Sequence, residues 1–132
     1  MKLLLLITAI FEGMVGIGFF VTPVLAVSIL LRAQLESAGG IFAARLCGAA
    51  ILTLAICCWK ARSFETRESA IGVVTAMLFY NLAASAVLVY GGLRLSLQSP
   101  FIWPAIVGHA ALGVWCSTLL WFSIRNERRS QA

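Results

Sequence analysis

Charged residues are scarce in this sequence. Only 11% of the 132 residues are Asp, Glu, Lys or Arg, and 61% are hydrophobic, whereas roughly a quarter of the residues in a soluble domain are charged. Because these few charged side chains cannot form the surface of a soluble protein, we expect one integral membrane domain over residues 1–132. The net charge of +5 does not indicate nucleic-acid binding, because the basic residues lie at the ends of apolar stretches, where they anchor and orient membrane proteins.

Side chains that commonly build enzyme and metal sites are also scarce. The chain has one histidine and four cysteines, with no C-x-x-C pair and no His/Cys cluster at zinc spacing, which argues against a zinc or thioredoxin-like centre. A single histidine also excludes bis-histidine haem within one chain. No nucleophile–base pair, phosphate loop or metal-spaced carboxylate set is visible. We therefore predict no enzyme activity and no metal site, and the sequence identifies no cofactor.

Four long apolar stretches have the length that a helix needs to cross a bilayer. We predict spans at residues 3–22, 40–59, 70–90 and 101–124. The first resembles a signal peptide, but no A-x-A-like cleavage site follows it, so we expect an uncleaved span. Pro23 interrupts a run that stays apolar to Leu31, and proline bends or ends a helix. The pattern fits either a long bent helix extending toward residue 35 or a span followed by an interfacial helix at roughly Val24–Leu35.

The basic residues predict the orientation of these spans. With four crossings, two basic residues, Arg32 and Arg94, fall on one side of the membrane. The other side receives seven: Lys2, Lys60, Arg62, Arg67, Arg125, Arg128 and Arg129. The positive-inside rule then predicts an all-α, up-down-up-down four-helix bundle with both termini in the cytoplasm. We expect polar connections at residues 60–69 and 91–100, and a frayed tail from Arg125.

Each predicted span carries polar side chains within its apolar stretch. These are Glu12 in the first, Arg45 in the second, Tyr80 and Asn81 in the third, and His109 in the fourth. A guanidinium inside a membrane costs about 2.5–3.5 kcal/mol on insertion scales, so Arg45 should have a partner. Counting 1.5 Å per residue from the span ends places the polar groups at similar depths. We therefore expect a buried Glu12–Arg45 ion pair, with Asn81 and His109 as secondary partners.

Short motifs along most of the chain carry a family resemblance. They are Glu12 with Gly16 and Pro23, Arg45 and Gly48 leading to Trp59, Tyr80–Asn81, and Trp103–Pro104–Ala105 with His109. Together they resemble small four-helix bacterial inner-membrane proteins of loosely DoxX-like families. The resemblance implies a multi-pass bundle in a bacterial inner (plasma) membrane and no established activity. Some DoxX-like proteins are associated with redox or stress-related membrane complexes, which favours an accessory subunit.

The chain is also similar to small multidrug-resistance transporters, which are short four-helix proteins with a membrane-embedded glutamate in the first helix. Glu12 occupies a comparable place. Two features differ. An ion pair with Arg45 would keep Glu12 ionised and unavailable, whereas a carboxylate that exchanges protons must gain and lose a proton. The charge bias also fixes one orientation, whereas antiparallel pairing of identical chains needs both.

Three functions remain open at this point. The first is a binding or accessory protein whose polar layer holds a small amphiphile, such as a lipid or quinone, or docks a larger membrane complex. There Arg45 would anchor an anionic or carbonyl group, and Glu12 would orient Arg45. The second is a small proton-coupled transporter that uses Glu12. The third is a structural subunit of a homo-oligomer or larger complex, in which the polar layer only fixes helix register.

Overall fold

The computed structural model describes residues 1–63 and 67–130, and within them it contains helices and their connections and no β-strand. Its five helices are α1 (Lys2–Val21), α2 (Pro23–Leu31), α3 (Ala38–Ala61), α4 (Arg67–Arg94) and α5 (Ile102–Ser130). The all-α class is therefore as predicted.

Four of these helices are long and apolar enough to cross a membrane. They are α1, α3, residues Ala70–Arg94 of α4 and residues Ile102–Ser123 of α5. Large apolar side chains such as Phe11, Phe42 and Phe79 are mostly exposed on the outside of the helices. A soluble monomer rarely exposes this much apolar surface. The length, composition and surface of the helices together indicate a multi-pass membrane protein.

The helices continue past several of the predicted span ends. α4 passes through the expected connection at Gly91 and ends at Arg94, shortly before Ser96, whose φ of 53° is left-handed. α5 continues to Ser130, where the sequence predicts a frayed tail. The loop predicted at residues 60–69 is shortened from both sides, and its centre, residues 64–66, lies outside the described ranges. Polar residues end an apolar span, but most of them are compatible with helical backbone, so a change in hydropathy does not mark a helix end.

A sharp bend separates α1 from α2. Thr22 is non-helical, with φ −127° and ψ 62°, and both its N–H and its hydroxyl donate to the Gly18 carbonyl, at 3.0 and 3.2 Å. A Cβ on Gly18 would lie 3.8 Å from the Ala26 Cβ, although eight residues of straight helix would separate them by about 12 Å. Pro23 is the first residue of α2, where its missing N–H costs little. The run after Pro23 is therefore a separate short helix.

Two glycines bring α1 and α3 into close contact. A Cβ on Gly48 would lie 2.5 Å from the Phe20 backbone nitrogen, and one on Gly16 would lie 2.9 Å from the Leu52 nitrogen. Only glycine leaves room for two helix backbones at such separations. Small residues allow the same close approach at helix–helix contacts in membranes. The neighbouring contact, of Gly13 with Ala55, fixes the register of the crossing.

The helices form two closely packed pairs, α1 with α3 and α4 with α5, and the pairs approach each other less closely. A buried apolar cluster joins the two pairs at one end of the bundle. It consists of Leu4, Leu5, Ala9, Cys58, Ala61, Val74, Met77 and Cys116. At the opposite end, Ser99 in the α4–α5 connection donates a hydrogen bond of 3.2 Å to the Ile29 carbonyl of α2. Polar side chains occupy the bundle between these two ends.

Candidate functional site

A carboxyl group is buried between the two helix pairs. Glu12 lies in the middle of α1 and is 4% exposed. The Tyr80 hydroxyl of α4 donates a hydrogen bond of 2.9 Å to Glu12 Oε2. Among the described residues, this is the single hydrogen bond that Glu12 accepts, and no cation pairs with it. One turn earlier on α1, Thr8 is fully buried and its Oγ1 has no hydrogen-bond partner within the described ranges.

A second polar contact lies within the α4–α5 pair. The Asn81 side-chain Nδ2 donates 2.8 Å to the Met77 carbonyl, and Asn81 Oδ1 lies 2.9 Å from His109 Nδ1. A backbone carbonyl can only accept, so the bond to Met77 fixes the amide orientation and makes Oδ1 the acceptor. His109 Nδ1 must therefore carry the donated proton. In the neutral ring, Nε2 is then the basic nitrogen.

Tyr80 connects these two contacts. Its ring lies edge-on to the His109 imidazole, with centroids 5.6 Å apart and an interplanar angle of 78°, a favourable aromatic geometry. Glu12, Tyr80, Asn81 and His109 thus form one continuous set across α1, α4 and α5, which we call the polar network. Tyr80 and Asn81 are adjacent on α4 and point about 100° apart around its axis, so one side chain meets α1 and the other meets α5.

The predicted Glu12–Arg45 ion pair is wrong. Arg45 is exposed and makes no hydrogen bond or ion pair within the described part of the chain. The helix crossing gives the reason. Gly13 lies level with Ala55, ten residues from Arg45, which is about 15 Å along α3 and farther than an arginine side chain reaches. Depth counted from span ends places both groups in one layer, but it contains no information about the register of the α1–α3 crossing.

Arg45 instead lines a groove beside the bend between α1 and α2. This hinge groove has a volume of about 510 Å³. Its lining residues are Val21, Thr22, Pro23, Val24, Leu25, Ser28, Ile41 and Arg45. Apart from Arg45, Thr22 and Ser28, these side chains are apolar. The groove also lies at the C-terminal end of α1, where the Phe19 carbonyl receives no N–H from Pro23 and the helix dipole favours a cation.

A second cavity, of about 390 Å³, lies between the end of α2 and the α4–α5 connection. It is lined by Arg32, Gly92, Leu97, Gln98, Ser99, Pro100 and Trp103. Arg32 ends α2 in the left-handed conformation, with φ 51°. Neither this cavity nor the hinge groove includes a member of the polar network. The residues that the sequence groups into one layer therefore belong to two separate places.

The contact that sequence reasoning missed is the bond from Tyr80 to Glu12. The sequence indicates Tyr80 only as a packing residue or hydrogen-bond donor beside Asn81. The adjacent positions of Tyr80 and Asn81 do contain a usable signal, because a hydroxyl and an amide side by side in one span can bond to two different neighbouring helices.

Comparison with protein-family models, with functionally characterised proteins and with solved structures gives no match for this chain.

Proposed function

We propose that this protein binds a small amphiphile with an anionic head group in the hinge groove. The observation that carries the proposal is the position of Arg45, an exposed guanidinium without a partner among the described residues in a groove lined mostly by apolar side chains. A guanidinium presents paired N–H donors that match a carboxylate or phosphate. The apolar lining suits the first carbons of an acyl or isoprenoid chain.

The size of the groove limits what it can hold. Its volume of about 510 Å³ falls within the range of ligand pockets, roughly 300–1,000 Å³, and suits a head group with the start of one chain. Leu25 and Val21 line the groove and are exposed, so the rest of an apolar tail would continue along the lipid-facing surface. A quinone would offer a carbonyl without charge and use the guanidinium less well.

We place the groove in the outer leaflet. The apolar cluster that joins the start of α1, the end of α3 and the start of α4 supports an up-down-up-down arrangement with both termini on one side. Lys2 and Lys60 lie at helix ends on that side and Arg125 lies just past the apolar part of α5, so the positive-inside rule assigns that side to the cytoplasm. The hinge groove then faces the opposite, periplasmic side of a bacterial inner membrane, the location that the DoxX-like resemblance implies.

The test is native mass spectrometry of protein extracted gently from its own membrane. We expect a bound anionic amphiphile in the wild type, its loss in Arg45→Gln, and its retention in Arg94→Gln. Arg94 is the matched control, because it is an exposed arginine near the same side of the membrane and lines neither cavity. Wild-type protein without a ligand, or equal retention by both variants, would refute the proposal. Protein that carries only another polypeptide would instead favour a structural assembly subunit.

A further inference from the structure

We propose that Glu12 is a proton-binding site at the junction of the two helix pairs, separate from the hinge groove. The reaction is reversible uptake of one proton by the carboxylate, which gives a neutral carboxylic acid that keeps its hydrogen bond from Tyr80. The ligand is the proton itself, exchanged with water. This inference is independent of the amphiphile proposed above.

The surroundings of Glu12 support this assignment. The carboxyl is 4% exposed and receives one neutral hydrogen bond, from Tyr80. A buried carboxylate normally has a cation or several donors, because an ion without them is costly to remove from water. Arg45, the single cationic side chain within the apolar part of α3, lies at the hinge groove. The closed junction therefore stabilises the protonated carboxyl, so Glu12 can take up and hold a proton there.

The other titratable groups around Glu12 are few. On α4 and α5 they are Tyr80 and, behind its ring, His109. On α3, the thiols of Cys47 and Cys58 lie close enough to interact electrostatically with Glu12. None of these groups is a permanent cation. A proton on Glu12 therefore changes the charge of the junction itself.

The junction also offers a route for exchange. The two helix pairs approach each other less closely than the helices within each pair, and the Tyr80 bond to Glu12 crosses between them. Thr8 provides a buried hydroxyl without a described partner one turn from Glu12 on the same face of α1. Separation of the pairs would break the Tyr80 bond and admit water to a carboxyl and a hydroxyl. Because Glu12 is 4% exposed in the closed junction, proton exchange with water requires the two pairs to separate there.

The experiment is infrared spectroscopy of the purified protein in micelles of an alkyl glycoside detergent during a pH titration, because such a detergent has no ester carbonyl to overlap the carboxyl band. Protonated carboxylic acids have a carbonyl stretching band apart from the amide bands, and deuterium exchange shifts it. Exposed carboxyl groups are ionised above about pH 6, so from that pH upward we expect this band in the wild type, its reversible loss as pH rises further, and its absence in Glu12→Gln. Glu36→Gln is the matched control, because Glu36 is an exposed acid outside the helices, and it should leave the band unchanged.

Tyr80→Phe keeps the test decisive if Glu12→Gln does not fold. Removal of the hydroxyl should shift the band to higher frequency, because the carboxyl loses its hydrogen-bond donor, and should change the pH at which the band disappears. A band that persists unchanged over the whole pH range would overturn the proposal, since Glu12 would then be permanently neutral. Absence of the band at every pH would also overturn it, since Glu12 would then be permanently ionised.

Discussion

Alanine at Gly48 should destabilise the bundle more than alanine at any open glycine. A Cβ there would lie 2.5 Å from the Phe20 nitrogen, 2.8 Å from the Phe19 carbonyl carbon and 2.9 Å from the Gly16 oxygen. All three are backbone atoms and cannot rotate away. Ordinary contacts between non-bonded heavy atoms are about 3.5–4.0 Å, so α1 and α3 would have to separate by about 1 Å.

The expected cost follows from two opposing effects. Overpacking of a well-packed contact costs about 1–3 kcal/mol, and replacement of glycine by alanine returns up to about 1 kcal/mol of helix propensity. Because the clash is with backbone atoms, the overpacking cost should lie near the upper end of its range, so the net destabilisation should be about 2 kcal/mol, which changes the ratio of folded to unfolded protein roughly 30-fold. The measurement is the free energy of unfolding of purified protein in mixed micelles with increasing denaturing detergent.

Gly108→Ala provides the matched control. Gly108 lies within α5 and has no atom within 4 Å of an added Cβ, so alanine there gains helix propensity without a clash. We expect Gly108→Ala to be as stable as the wild type or slightly more stable. If Gly48→Ala and Gly108→Ala unfold at the same detergent concentration, the close approach of α1 and α3 does not stabilise the protein, and the reasoning fails.

Three further predictions concern the polar contacts. Tyr80→Phe should lower the free energy of unfolding by about 0.6–1.7 kcal/mol, the range of interhelical hydrogen bonds in membranes. Tyr90→Phe, at an exposed tyrosine, should have no effect, and equal losses in the two variants would contradict the Glu12 contact. Asn81→Leu and His109→Leu should be non-additive in a double-mutant cycle, because each removes the same 2.9 Å bond, and strict additivity would exclude that bond. Ser99→Ala removes the bond to α2 and should speed amide hydrogen exchange across α2 but not α1, and unchanged exchange would show that the bond does not hold α2.

The helices themselves follow from the sequence because bilayer thickness sets a minimum apolar length, which α1, α3, α4 and α5 all meet. The bend after Val21 also follows, because Pro23 cannot supply the N–H that a continuous helix requires. The helix ends do not follow, since hydropathy reports where lipid ends and not where helical hydrogen bonding ends. α5 shows this by continuing through a charged tail to Ser130.

The partners of the polar residues were beyond sequence reasoning for a geometric reason. Depth in the membrane gives one coordinate of a side chain, and a contact needs two more, the rotation of each helix and the register of each crossing. Gly16 and Gly48 set that register through a backbone contact, and it separates Glu12 from Arg45. The pattern Gly40, Ala44, Gly48 predicts a small-residue face but not which turn of α1 it meets.

The order of synthesis gives the Tyr80 bond a further consequence. Glu12 and Tyr80 are 68 residues apart, and ribosomes add about 5–20 residues per second, so the acid is synthesised about 3–14 s before its donor. Because the chain leaves the ribosome in order, α3 emerges before α4 and can dock on α1 through the two glycines before Tyr80 arrives. The newly inserted α1–α3 hairpin therefore carries an acid that still lacks its tyrosine, and the arrival of α4 completes the site. A nascent chain halted before α4 should present Glu12 to lipid, water or a chaperone of the insertion machinery.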